Sequence, residues 1–519
     1  MTDGVPTRAD VCVIGAGHNA LVASTLLAQA GLDVVAVERD SVIGGAARTE
    51  QPFRKVPGLR QSTGSYLLGL MPPELERELD LRLPLVRRDP HYFLPTMSDR
   101  YLIMGSDRAA TRRQFVEFFS QEDADADDRL QAEIGQLRDD LAPAWLAPPR
   151  SVEETAERYI RPALQETFVE LVRGDVASYL AKFEFASELI VAMYAVTDGI
   201  SGLHAGPDTP GSGHNFLCHN MCRLPGSDGT WMIVRGGMGT VTATIAERAR
   251  AAGARIVTDA PVAAVDVTGS QVTGVTLADG RQIAASTIVA GCDPFTLSHL
   301  VALPDALHRH VDSLRKPGTT LKVNLAMRGL PDFTCLPASA PSPFGSTIHL
   351  LEQESPMASV RAMWADVQAG KLPDFPTIEW YLHTTADASL QDPEGHHSSA
   401  LFVQSVPWQP AGSSWEAELP GYVEHLLSIC DRFAPGTTDL VADTFPLTPP
   451  GIEAHFGIQH GHIHHVDNGF ALDQRMPYAT GIDGLYACSA GCHPGGSVIG
   501  AAGHNAAKLI LADLGKAAS

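Results

Sequence analysis

Residues Val11 to Glu38 constrain this chain more than any other stretch. An apolar run, Val11-Cys12-Val13-Ile14, meets Gly15-Ala16-Gly17-His18-Asn19-Ala20, and a helix-like segment from Leu21 to Ala30 follows. A second apolar run, Val34 to Val37, is closed by Glu38. Strand, glycine turn, helix, strand and acid in that order make a βαβ unit suited to a dinucleotide. Gly15 permits the tight turn, Gly17 lets the backbone approach a pyrophosphate, and Ala20 allows close packing of helix on strand. The free N–H groups at the helix start, around His18 and Asn19, face the phosphates. Glu38, 23 residues after Gly15, is placed to accept hydrogen bonds from the adenosine ribose, with Arg39 beside it. The second glycine turn, Gly44-Gly45-Ala46-Ala47-Arg48-Thr49, can return backbone amides to the same pyrophosphate. That extension points to FAD.

A chain of 519 residues exceeds the usual size of one core, so two or more domains are expected. The formal charge of −22 repels nucleic acid and anionic membrane surfaces alike. No apolar signal segment precedes the first strand and no apolar run reaches the length of a membrane span, so a cytoplasmic location is expected. A homo-oligomer is compatible with the sequence. The eight cysteines contain no C-x-x-C pair and read as reduced thiols.

Beyond the opening unit the pattern breaks into two excursions and two returns. The first excursion carries Ser65-Tyr66-Leu67-Leu68, a helix-like Pro72 to Leu79, helical spacing from Arg112 to Leu141, and more from Val152 to Ala195. The acidic block Glu122 to Asp128 reads as a solvated surface. Asp198 to Thr230 reads as a loop; its His214, Cys218, His219 and Cys222 fit no standard zinc spacing, so no metal is expected. The first return runs through Trp231 to Val234, Gly236-Gly237-Met238-Gly239, a helix over 240–252 and a β-meander over 254–290. Val262 in this meander is placed beside the adenine, and Gly291 ends a strand near the cofactor. The second excursion, from about Leu300 to Tyr478, contains strands at 320–327 and 399–406 and a helix over 421–433. The final return is a short strand over 484–491, then Cys492-His493-Pro494-Gly495-Gly496-Ser497-Val498 and a closing helix to Leu514. This turn and helix start can set positive partial charge beside a flavin, with Gly491, Cys492, Gly496 and Val498 against the cofactor.

The expected architecture is therefore α/β: a Rossmann-type βαβ nucleotide domain from residues 1–60, 231–300 and 480–519. A mixed-sheet substrate domain with a helical insertion is expected from residues 61–230 and 301–479. The three nucleotide segments, with Ser65-Tyr66-Leu67-Leu68 and Gly236-Gly237-Met238-Gly239, together resemble the FAD-dependent phytoene desaturase family, which is related to the flavin amine oxidases. Within it the chain resembles the branch called pyridine nucleotide-disulphide oxidoreductase domain-containing protein 2. The resemblance implies a two-domain fold with non-covalent FAD and redox chemistry on an organic, often apolar, substrate. The chain lacks a redox disulfide motif and a second GxGxxG, which argues against disulfide reductase chemistry. Thr319-Thr320-Leu321-Lys322-Val323-Asn324-Leu325 is similar to the amine-oxidase strand whose lysine reaches the flavin through water.

Flavin chemistry supplies hydride acceptance, and the protein must position the donor and handle a proton. Candidate acid/base groups are Lys322, His493, His504 and the histidines of Gln459 to His465. Read as a strand, the latter would set His460, His462 and His464 on one face and His465 on the other. His493 is expected nearest the flavin. The favoured activity is dehydrogenation or desaturation of a C–C or C–N bond, with oxygen, a quinone or another carrier as electron acceptor. An amine or amino-acid oxidase is a second reading and would need an aromatic cage, from among Tyr66, Trp231, Trp380 and Tyr381, and a carboxylate-binding arginine. A third is a FAD-binding assembly protein with little catalysis.

Overall fold

The computed structural model describes residues 4–516. A five-stranded parallel sheet is ordered Leu485–Ala487, Thr287–Ala290, Val11–Ile14, Val34–Val37, Arg255–Val257. Its central strands are buried on both faces, as continuous apolar runs in a parallel sheet must be. The helix His18–Gln29 covers one face. Ser24 and Thr25 sit in its interior without cost because each hydroxyl donates to a carbonyl one turn back, at 2.8 Å. The closing helix Ala501–Asp513 lies against it, and a side chain at Gly503 would overlap the Asn19 carbonyl.

Above this layer stands a seven-stranded sheet ordered Val441–Leu447, Leu321–Met327, His397–Val403, Ile378–Leu382, Thr347–Leu350, Tyr92–Pro95, Tyr101–Met104. Every pairing is antiparallel except Thr347–Leu350 with Tyr92–Pro95. The two excursions thus share one sheet. Alternation assigns its faces. Leu321, Val323, Leu325, Ile378, Trp380, Leu382, Leu401 and Val403 form a core with the helix Trp415–Phe433. The opposite face carries Lys322, Glu379, Tyr381 and Phe402.

The helical insertion contains Arg108–Phe118, Gln121–Leu141, Val152–Tyr159, Gln165–Arg173, Val176–Ala181 and Glu188–Tyr194. Two expectations need correction here. The acidic block is not wholly solvated: Asp123 and Asp127 are buried, with Asp123 accepting from the Ser187 amide (2.9 Å) and Asp127 from the Tyr194 hydroxyl (2.5 Å). Within Asp198 to Thr230, Ser212–His219 is a helix whose buried face a composition rich in Gly, Pro and His conceals. No described helix is long and apolar enough to cross a membrane. All eight cysteines are free.

Buried histidines make the fold acid-sensitive. Burial pushes His214, His219 and His493 down to about 4. In an unfolded chain each titrates near ~6.5. The folded value lies below the unfolded one, so the unfolded chain binds more protons and stability is lost as pH falls from ~6.5 toward 4. Urea midpoints measured from about pH 7.5 to about pH 4.5 should decline steadily below ~6.5; a flat midpoint over that window would contradict the burial of these rings.

Candidate active site

A single long cavity runs between the two sheets. Its first end is the glycine turn. The Val11–Ile14 strand delivers Gly15 at φ 90°, which the turn requires, and its N–H donates to Val37 O at 2.8 Å. Gly17 precedes the first helix in extended geometry, φ −75°, with no side-chain cap and no acid in the first turn. The leading N–H groups are thus left for an anion from outside the chain. A Cβ at Gly17 would meet no atom within 4 Å. The space in front of it is open to the cavity.

Glu38 closes the Val34–Val37 strand as expected. Its carboxylate accepts from Ala16 N at 2.8 Å and Asp40 N at 3.1 Å, which fixes it on the cavity wall. Burial raises its pKa, and the two amides offset part of that effect. Arg39, Pro261 and Val262 line the same end; Gly44, Gly45 and Ala46 line the stretch beside Gly17. His18, Asn19, Ala20, Gly291, Ser497 and Val498 form the middle. Gly291 has to be glycine: a Cβ would press on Ala20 Cβ and on Ile14 O, where strand and helix approach each other.

Not every expected residue reaches the cavity. Arg48 lies outside its lining, tied to Asp40 at 2.9 Å and Glu50 at 3.2 Å and lying over the Phe456 ring. Gly491, Cys492 and Gly496 form the turn behind the wall, and only Val498 of that group faces inward. His493 points away; its Nε2 meets the Ala144 carbonyl at 2.9 Å, which anchors the turn to the helical insertion. His504 is on the far side of the closing helix, 3.2 Å from Glu78. Gln459 to His465 is no strand. His460 and His465 take φ near 60°, which breaks the alternation, and the rings diverge. His460 turns to Arg315 (2.9 Å), His462 to Asp467 (3.2 Å), and His464 and His465 to the cavity.

The second end is roofed by the inner face of the seven-stranded sheet. Lys322, Phe402 and Glu379 stand side by side on three adjacent strands. Two strand spacings separate the lysine from the glutamate, roughly 10 Å at the backbone, and no ion pair joins them among the described residues. The Lys322 ammonium lies 4.2 Å from the Tyr66 ring centre and 3.9 Å from that of Phe402. Among the described residues no group accepts a hydrogen bond from it. Burial pushes Lys322 down to about 7, partly opposed by Glu379.

Sequence reasoning missed three features of this end. Glu379 interrupts an otherwise apolar strand, a signal that was available. Arg88 carried none, being one of several charged residues at Arg87-Arg88-Asp89. The turn Ala195–Ile200 is a wide π-helix that sets Thr197 on the cavity wall. Asn215 stabilises it by donating to the carbonyls of Asp198, Gly199 and Ser201 at 3.1–3.2 Å. Tyr66, Trp231 and Tyr381 line the cavity, whereas Trp380 faces the opposite core and donates to Ser399. Tyr66 and Tyr381 touch each other, centres 5.2 Å apart and planes at 51°, so nothing passes between them as arranged here.

A sequence profile of the flavin-containing amine oxidoreductases matches residues 21–375, more than half of the chain. The chain belongs to that family. The flavoprotein is 33% identical over 556 residues to the mouse pyridine nucleotide-disulfide oxidoreductase domain-containing protein 2, covering 97% of this chain and 94% of the mouse one. It is 29% identical over 296 residues to a hydroxyneurosporene desaturase of Cereibacter sphaeroides, 55% of each chain. The putrescine oxidase structure with bound putrescine superposes with a TM-score of 0.58 at 15% identity, over 98% of this chain and 99% of that one, a likeness of fold. FAD is the cofactor, and the chain is a FAD-dependent oxidoreductase. The residues present fit it: an uncapped helix start, open space before Gly17, a fixed acid at the ribose end, and a cavity continuous from Glu38 to Lys322.

Proposed function

We propose that this flavoprotein is a dehydrogenase that takes hydride from a C–C or C–N bond of an amphipathic organic molecule held between the glycine turns and the seven-stranded sheet. The observation that carries the reading is Lys322: buried, without a hydrogen-bond partner, and on the cavity wall opposite the cofactor cradle. When bound, FAD supplies the hydride acceptor. The chain's own part is to hold the donor carbon, exclude water and accept a proton. With its affinity lowered to about 7, the Lys322 amine is free to take a proton from the atom next to the donor carbon near neutral pH. The closed Tyr66–Tyr381 pair gives no open aromatic cage, which favours dehydrogenation over simple amine oxidation. Oxygen, a quinone or another carrier would take the electrons.

The two parts divide as residues 1–60, 231–300 and 480–519 for the cofactor, and 61–230 and 301–479 for the substrate. The strands of the parallel sheet all fall in the first set and those of the mixed sheet in the second, which supports that division.

Anaerobic addition of a substrate pool should bleach the flavin, and a protein that no oxidisable compound bleaches would defeat the proposal. Lys322→Met should keep its FAD and lose at least about 100-fold in the rate of flavin reduction. The wild-type rate should rise with pH through about 7, and the variant should lose that dependence. An unchanged pH profile in the variant would remove Lys322 from the chemistry.

A further inference from the structure

The cavity wall holds an arginine with an unusual set of partners. Arg88 is 2% exposed, yet no carboxylate lies within ion-pairing distance of it among the described residues. Its Nε donates to Trp231 O at 2.9 Å and its Nη1 to Thr347 Oγ1 at 2.7 Å. These two bonds fix the plane of the guanidinium. Among the described residues Nη2 has no acceptor, and the side chain lines the cavity. A buried guanidinium that is oriented but not neutralised is an incomplete pair.

Resting on the dehydrogenase reading, we infer that the substrate carries a carboxylate, which the free edge of Arg88 receives at the cavity wall while the apolar remainder extends toward Tyr66 and Lys322. The planar fork of arginine matches a carboxylate, which can accept two donors side by side. Glu379 Oε1, on the same wall, has no hydrogen-bond partner, whereas Oε2 accepts from the Tyr381 hydroxyl at 2.6 Å. Burial raises Glu379 and pushes Asp198 up to about 8, which lessens the negative charge that an acid would meet at this end. Leu67, Ile463 and Phe402 on the cavity wall suit an apolar body.

The test uses the FAD-loaded protein and three isosteric probes: phenylacetate, phenylacetamide and phenethylamine, followed by the flavin absorption spectrum and by thermal shift. Phenylacetate should perturb the flavin band saturably, and the amide and amine should bind at least about ten-fold more weakly. Arg88→Met should weaken phenylacetate at least about thirty-fold and leave phenylacetamide within about two-fold. Thr347→Val, which removes one of the two groups orienting the guanidinium, should produce a smaller loss for phenylacetate alone. Equal affinity of the wild type for acid and amide, or an unchanged phenylacetate affinity in Arg88→Met, would overturn the inference. If Arg88→Met does not fold, the wild-type acid–amide comparison decides. Flavin bleaching by an uncharged donor, with no preference for acids, would sink the carboxylate site and leave the dehydrogenase standing. Failure of every donor to bleach the flavin would sink the dehydrogenase, while the thermal shift would still report on the acid site.

Discussion

Gly17→Val is expected to give a folded protein that purifies without yellow colour. At most glycines of a fold a valine strains the protein first, and loss of ligand is secondary. Here the backbone at Gly17 has φ −75° and ψ 169°, an extended conformation that β-branched residues favour. No protein atom lies within 4 Å of an added Cβ. The protein itself gives the new side chain room, and on the reading proposed here the clash is with a pyrophosphate at the helix start. The melting temperature of the apoprotein should change by no more than about 2 °C, whereas bound flavin should fall below about a tenth of the wild-type content. A fully yellow Gly17→Val would remove the cradle from this turn. Gly291→Val provides the contrast, because there an added Cβ meets Ala20 and Ile14 and the fold itself should suffer.

Arg475→Met is expected to destabilise the protein by about 3–5 kcal/mol, read from urea unfolding. Arg475 is fully buried, and its five N–H bonds all find backbone carbonyls. Nε donates to Cys492 O, Nη1 to Asp467 O and Phe470 O, and Nη2 to Val466 O and Ala490 O, at 2.9–3.1 Å. One side chain thereby joins the turn after the last strand of the parallel sheet to the loop that carries His464 and His465. Methionine fills similar volume and strands five acceptors. Asp467 provides the nearby negative charge; hydrogen bonds and charge from His462 and Lys316 hold its carboxyl well below the usual range in spite of burial. Arg475→Lys should not rescue, since an ammonium has three donors and no fork. A loss below about 1 kcal/mol would show that the five bonds do not secure the turn.

The parallel sheet was legible because its strands are short apolar runs joined by glycine turns, and both signals are local. The spacing of Gly15, Gly17, Glu38 and Val262 was legible for the same reason, and all four line the cavity. At the substrate end Lys322 was legible as a charge in an apolar strand, Glu379 offered the same signal, and the aromatic residues Tyr66, Trp231 and Tyr381 reach the cavity. Arg88 could not be read because its role depends on Thr347 and Trp231, both distant in sequence. His493 was misplaced because a turn's sequence does not say which side of the wall a ring takes; the Ala144 carbonyl, from the helical insertion, decides it. The run Gln459 to His465 alternates like a strand, yet its backbone turns at His460 and His465.

The sharing of one sheet by two distant excursions bears on how the chain is made. Tyr92–Pro95 finds its partner at Thr347–Leu350, and Leu321–Met327 is not paired on both edges until Val441–Leu447 exists. Val11–Ile14 waits for Thr287–Ala290, which in turn waits for Leu485–Ala487. During synthesis from the N-terminus, neither sheet can close until most of the chain has left the ribosome, and apolar strand edges stay open in the interval. A nascent fragment ending before residue 441 would display Leu321 to Met327 as a bare edge, the kind of surface that recruits another chain. Production of this protein should therefore be governed by how long the unfinished chain is shielded, more than by the stability of the finished one.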